Sequence, residues 1–275
     1  MSNKLTHLLN LQRPLVMGIL NTTPDSFSDG GRFNITSDAL HHARLMIAEG
    51  ADIIDVGGES TRPGAQPVAV EDELQRVIPV IEAIAKQSSV AISIDTSKVE
   101  VMRAAVRAGA DMVNDVNALA AEGALSVCAQ LDVPVCLMHR QGSPQAMQNS
   151  PQYKNVVEDI RLFFKRRVNA CVQAGIKRQN ILLDPGFGFG KTLAHNLSLL
   201  KRLDEFLSLD LPILVGVSRK SMLGAILDAA VDERLSAGLA AAVMAHTKGA
   251  RIFRVHDVKP TVDALKISQA VLDAD

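Results

Sequence analysis

The sequence predicts a parallel α/β barrel of eight strand–helix units, and three observations carry that expectation. Short β-rich apolar runs alternate with longer amphipathic stretches from one end to the other. There are eight such runs in 275 residues, and a closed (β/α)8 barrel uses eight strands in roughly 250. A short unit also recurs. Gly50-Ala51-Asp52-Ile53-Ile54-Asp55, Gly109-Ala110-Asp111-Met112-Val113-Asn114 and Gly249-Ala250-Arg251-Ile252-Phe253-Arg254 each set a helix-ending glycine before a strand and a polar residue five positions later. Asp55, Asn114 and Arg254 should therefore occupy equivalent tips on one rim. The open doubly wound sheet shows the same alternation and is the competing architecture. No linker or shift in composition divides the chain, so residues 1–275 read as a single domain.

In chain order the strand candidates are 14–21 (PLVMGILN), 52–56 (DIIDV), 90–95 (VAISID), 112–115 (MVND), 134–139 (PVCLMH), 181–184 (ILLD), 212–217 (PILVGV) and 251–256 (RIFRVH). Their nearly continuous apolar character implies cover on both faces, as in a parallel sheet wrapped by helices. Helical periodicity fills 38–48, 70–86, 99–108, 153–174, 193–207 and 233–247. Six strand candidates end on a polar residue, 52–56 carries Asp55 one position before its end, and 212–217 runs directly into Ser218-Arg219. Wet strand ends would account for one such tip. A ring of Asn21, Asp55, Asp95, Asn114, His139, Asp184 and His256 is better explained by a site, because parallel barrels carry their chemistry at the carboxyl ends of the strands.

Bulk properties remove several function classes. A net charge of −1, one Tyr and no Trp leave little electrostatic or stacking basis for binding nucleic acid. The most apolar stretch, 238–245, falls well short of the ~20 residues of a membrane span. Cys128, Cys136 and Cys171 have no metal-binding spacing and read as reduced core thiols, so the expected location is the cytoplasm.

The loop after the first strand, Asn21 to Phe33, is rich in turn formers yet holds two aspartates and a phenylalanine, Phe27, where no core is expected. The loop after the second, Gly57-Gly58-Glu59-Ser60-Thr61-Arg62-Pro63-Gly64, offers a hydroxyl and a cationic fork suited to a phosphate or carboxylate. Gly186-x-x-x-Gly190-Lys191-Thr192 is one residue short of a phosphate-binding P-loop, and Lys191 stands where a dinucleotide fingerprint needs its third glycine. What remains there is a carboxylate, Asp184, ahead of a tight glycine loop presenting Phe187 and Phe189. Ser218-Arg219-Lys220-Ser221 opens a helical stretch and suits an anion. Arg254 and His256, two apart on the last strand, project to the same side. His139 has no assignable role from spacing alone.

These segments together resemble the dihydropteroate synthases. Met17-Gly18-Ile19-Leu20-Asn21-x-Thr23-Pro24-Asp25-Ser26-Phe27-Ser28-Asp29-Gly30-Gly31 is similar to that family's first signature, and Asp55 to Gly64 to its second. Ile94-Asp95-Thr96, Asn114-Asp115, Leu137-Met138-His139, Asp184 to Lys191, Ser218 to Ser221 and Arg254-Val255-His256 follow in order. The resemblance implies a Mg2+-dependent, homodimeric (β/α)8 barrel. Such an enzyme joins dihydropterinylmethyl diphosphate to 4-aminobenzoate, releases diphosphate, and is inhibited by sulfonamides. By the same resemblance Asp95, Asn114, Asp184 and Lys220 would bind the pterin, with Met138, Phe189 and Gly216 also in contact with substrate. Thr61, Arg254 and His256 would meet the diphosphate-bearing substrate, and Asn21 would hold Mg2+. Phe27, Arg62, Pro63, Phe189 and Ser221 would frame the aminobenzoate pocket, and Asp29 would stabilise developing cationic charge. Thr22 and Arg140 depart from the usual pattern without touching these roles. A corrinoid-dependent pterin methyltransferase and a silent pterin-binding paralogue are the alternatives. A methyltransferase has no use for Arg254 and His256 as diphosphate ligands.

Overall fold

The computed structural model describes residues 3–23, 32–60, 65–142 and 151–274, of which 32–35 are described as backbone only. The strands are β1 (Leu15–Asn21), β2 (Ile53–Gly57), β3 (Ala91–Asp95), β4 (Met112–Asp115), β5 (Val135–Met138), β6 (Ile181–Asp184), β7 (Leu214–Val215) and β8 (Ile252–Val255). All pair in parallel in the order β6-β5-β4-β3-β2-β1-β8-β7. A parallel bridge from Leu183 to Ile213, with Leu183 N donating to Pro212 O at 3.0 Å, joins the two ends and closes the barrel. The expected barrel forms, and the open doubly wound sheet is excluded.

The helices are α1 (Lys4–Leu9), α2 (Arg32–Ala48), α3 (Val70–Gln87), α4 (Val99–Ala108), α5 (Ala124–Leu131), α6 (Val156–Gln173), α7 (Leu193–Lys201), α8 (Ser221–Leu227), α9 (Leu235–Thr247) and α10 (Val258–Leu272). The continuous stretch expected over 193–207 breaks after Lys201 into a 3-10 segment, Leu203–Leu209. The strand expected over 212–217 shrinks to Leu214–Val215, since Pro212 has no N–H for the ladder and Gly216 favours no strand. Gly50, Gly109 and Gly249, the glycines of the recurring unit, all have positive φ (100°, 119° and 87°), so each ends its helix in the left-handed conformation that glycine adopts without steric penalty.

Two apolar cores result. The larger lies between strands and helices. The smaller fills the barrel and consists of Leu15, Met17, Ile53, Ala91, Met112, Cys136, Leu182, Leu214 and Ile252, with Leu5 of α1 plugging the end where the strands begin. Side chains alternate across a strand, so the residues two positions further on face the same interior one layer higher. That upper layer is Ile19, Asp55, Ser93, Asn114, Met138, Asp184, Gly216 and Arg254. The apolar plug and the polar mouth are therefore two storeys of one barrel.

Candidate active site

Arg254 is the hub of the upper layer. Its Nε donates to Asp55 Oδ2 at 2.6 Å and its Nη2 to Asp95 Oδ2 at 2.7 Å. Asn114 Nδ2 donates to the same Asp55 oxygen at 3.3 Å. The three tips that the recurring unit placed on one rim thus touch directly. Asp55 is fully buried, and its Oδ1, like Ser93 Oγ beside it on β3, lacks a hydrogen-bond partner. Burial raises the Asp95 carboxyl, with Arg254 pulling it back. For Arg254, burial opposes the charge, but the carboxylates of Asp55 and Asp95 outweigh it and hold the guanidinium cationic.

Across the mouth, Asp184 accepts from Gly186 N at 2.7 Å through Oδ1. Burial raises its pKa, opposed by that N–H bond and by the nearby Lys220. Lys220 stands at the N-terminus of α8 because Arg219 before it takes a left-handed turn (φ 56°), which sends Arg219 out to a double ion pair with Asp257 and Lys220 inward. Lys220 Nζ lies 4.3 Å from the centre of the Phe189 ring and has no carboxylate partner among the described residues. Burial lowers its pKa to about 8, so it is a cation at neutral pH without a hydrogen-bond acceptor among the described residues.

The third side is formed by β7, β8 and β1. His256 Nδ1 lies 3.1 Å from Ser218 Oγ. Burial, Arg254 and Arg219 lower the imidazole to about 4, so it is neutral in the free protein. A Cβ placed on Gly57 would sit 3.8 Å from both Asn21 Oδ1 and Asp95 Oδ2, so the glycine keeps the space between them open.

An acid and an amide that can grip one edge of a flat heterocycle, with a lysine facing them, describe a pterin subsite on chemical grounds. Comparison with known proteins agrees. Residues 17–256 match the family described as pterin binding enzyme. The chain belongs to that family. It is 57% identical over 266 residues, 97% of this chain and 94% of the relative, to dihydropteroate synthase of Escherichia coli K12. Among solved structures it superposes on the Yersinia pestis dihydropteroate synthase with a sulfonamide drug complex at a TM-score of 0.92, with 52% identity and 96% of each chain covered. The Xanthomonas albilineans dihydropteroate synthase with 4-aminobenzoic acid gives 0.91 and 48%, covering 96% of this chain and 95% of that one.

Within this family site the structure brings together Asp95, Asn114, Met138, Asp184, Phe189, Gly216, Lys220 and Arg254 around the mouth, with Asn21 and His256 at its rim. Ser221 follows Lys220 and is exposed. Phe27, Asp29, Thr61, Arg62 and Pro63 lie outside the described residues. The structure refines two expectations for groups that would meet the diphosphate-bearing substrate. Burial beside two arginines lowers His256 and leaves it an uncharged hydrogen-bonding group. Arg254 is already held by two carboxylates. Asp55 was recognised as a tip but given no role, although its place two residues after Ile53 put it in the inward set. Lys191, set aside with the failed P-loop, is buried under the glycine loop. His139, left without a role, accepts from it.

Proposed function

We propose that the two halves of this mouth divide the work of a dihydropteroate synthase. The activity is the condensation of dihydropterinylmethyl diphosphate with 4-aminobenzoate to dihydropteroate and diphosphate, as in the relatives. Asp184 accepts the adjacent N–H groups of the pterin, Asn114 supplies a mixed donor and acceptor, and Lys220 donates to the opposite edge. Each such charge-assisted bond contributes about 1.5–3 kcal/mol. The single observation that supports this most is Lys220, a cation held against Phe189 with no carboxylate to pair with among the described residues.

Arg254 acts as a fixed donor rather than a mobile clamp. With Nε and Nη2 committed to Asp55 and Asp95, Nη1 has no acceptor among the described residues and remains for the substrate. Two carboxylates around one guanidinium do not give a net positive site. That knot therefore suits the carbon that becomes cationic as diphosphate departs, while Ser218, His256 and Asn21 on the neighbouring strands receive the leaving oxygens. The aminobenzoate amine then attacks the carbon directly, with Phe189 as one wall of its pocket. Asp29, Thr61, Arg62, Pro63 and Phe27 complete this reading from the two loops that follow β1 and β2.

Mg2+ fits the donor set in one particular way. No group of three His, Cys, Asp or Glu able to hold a metal occurs among the described residues. Asn21 Oδ1 is instead a single neutral oxygen beside open space, as suits an ion held chiefly by substrate phosphates and water. When bound, it would neutralise charge on the diphosphate oxygens. The homodimer implied by resemblance is supported by exposed Ile226, Leu227, Val231 and Met244 around α8 and α9, apolar side chains that a second copy would cover. A cytoplasmic location is supported by three buried free thiols, and no helix among the described residues is long and apolar enough to cross a membrane. Sulfonamides are expected to compete with aminobenzoate here, as the Yersinia pestis complex suggests.

The deciding experiment measures diphosphate release with both substrates and Mg2+. Turnover that requires aminobenzoate is expected. Asp184→Ala should weaken pterin binding by roughly 100-fold or more in calorimetry, the value of losing two charge-assisted bonds. Tight pterin binding without aminobenzoate-dependent release would instead point to the silent paralogue.

A further inference from the structure

Lys191 is only 3% exposed, and no carboxylate lies within ion-pair distance of it among the described residues. Its ammonium reaches four acceptors: Gly186 O at 2.8 Å, Phe189 O at 3.0 Å, His139 Nδ1 at 3.1 Å and His139 O at 3.3 Å. Burial lowers the lysine to about 7; in its protonated form it has three donors and no acceptor, so Nδ1 of His139 then accepts and the neutral ring carries its proton on Nε2. A buried cation costs free energy unless such bonds surround it. An apolar residue could fill the space, but it would strand the carbonyls of Phe189 and His139, while Gly186 O would keep only its bond from Phe189 N.

Those carbonyls face inward because of how the loop is built. Gly186 and Gly190 have φ of 70° and 61°, and a Cβ on them would come within 2.0 Å of His139 O and 2.3 Å of Gln141 O. The loop after β6 is therefore pressed flat against the segment after β5. Gly188 N donates to Asn196 Oδ1 at 2.8 Å, and Tyr153 OH donates to Gly190 O at 2.8 Å, tying the outer side. Lys191 ties the inner side, bonding carbonyls of its own loop and His139 of the segment after β5 together.

Each of its partners adjoins a site residue. Gly186 supplies the N–H that orients Asp184. Phe189 carries the ring beneath Lys220. His139 follows Met138, whose Cγ lies 3.4 Å from the position of a Gly186 Cβ. We infer that Lys191 is a positioning residue for the pterin subsite: its ammonium clasps the β5 and β6 loops so that Asp184, Phe189 and Met138 are in place before substrate arrives. The inference rests on the reading of that subsite given above.

Steady-state diphosphate release on the full chain tests it with Lys191→Met, which keeps length and burial but removes the donors. The expected result is a rise of roughly tenfold in KM for the pterin diphosphate, with kcat within about threefold, because Arg254, Ser218 and His256 stand on other strands. Lys191→Arg, which restores a cation with donors, should recover part of the lost affinity. Amide exchange should quicken at Gly186, Gly188 and Phe189 while residues 115–120 stay unchanged. A folded Lys191→Met enzyme with unaltered pterin KM, or one in which kcat and KM worsen together without local loosening, overturns the proposal. Should Lys191→Met not fold, His139→Gln loses the imidazole acceptor and should raise the same KM about threefold. No change there overturns it equally. Asp184→Asn run in parallel separates the two layers of inference. If that variant also binds pterin normally, the subsite reading has failed; if it alone is impaired, only the clasp has.

Discussion

The lower and upper storeys of the barrel are lined from the same eight strands, yet they are built on opposite principles. Ile53, Met112, Leu182 and Ile252 pack below without a polar atom among their side chains. Two residues further along the same strands stand Asp55, Asn114 and Asp184, also buried, and the partly buried Arg254, all charged or polar. Burial of apolar area stabilises the lower storey at about 25 cal/mol per Å2. The upper storey holds together because Asp55, Asp95 and Arg254 pair with one another, while Asp55 Oδ1, Ser93 Oγ and Lys220 Nζ are left without a hydrogen-bond partner among the described residues. The difference shows how one continuous sheet separates stability from chemistry within two residues.

The largest expected effect breaks that division from above. Arg254→Met leaves Asp55 and Asp95 as buried, unpaired carboxylates, and unfolding by denaturant should show a loss of about 3–5 kcal/mol together with loss of turnover. Adding Asp55→Asn and Asp95→Asn to it should return much of the stability and none of the activity. If the single variant is as stable as the parent, the knot is not what holds the mouth.

Leu182→Ala, directly beneath Asp184, sharpens the comparison from below. The cavity it leaves should cost about 2–5 kcal/mol in the same measurement, while substrate KM at a temperature where the variant is folded stays within about twofold. A large change in pterin KM would mean that the storeys are not mechanically separate.

The smallest effect is a slope with pH. Burial holds His139 at about 3 and His256 at about 4, against 6.5 for an unperturbed histidine. In that interval the unfolded chain binds protons that the folded chain does not, so their contribution is complete above pH 6.5 and is lost as pH falls towards 4. The expected slope is on the order of 1 kcal/mol per pH unit for each ring, and His256→Asn should remove one share of it. A stability profile that is flat between pH 6.5 and 4 and unchanged in His256→Asn would contradict this account of the rim.

Much of the site was legible because strand period and the recurring glycine unit operate locally. Asp55, Asn114 and Arg254 follow their helix-ending glycines at the same distance, so equal strand lengths were bound to bring them to one level, and they do touch. His256 was legible in place but not in charge, since its pKa depends on Arg254 and on Arg219, which arrives from another strand. Lys191 was left without a role for the same reason. Its spacing fails as a P-loop, and only the folded loop supplies the four acceptors that enclose it.

The sequence by itself determined the eight strand–helix units and which residues stand at the strand tips, because apolar periodicity and glycine caps are properties of neighbouring residues. Tertiary structure alone decided which tips pair, which cation is left unpaired and which histidines are neutral. Those outcomes are electrostatic, and they depend on burial and on charges that the chain brings together from up to 199 residues apart, as with Asp55 and Arg254.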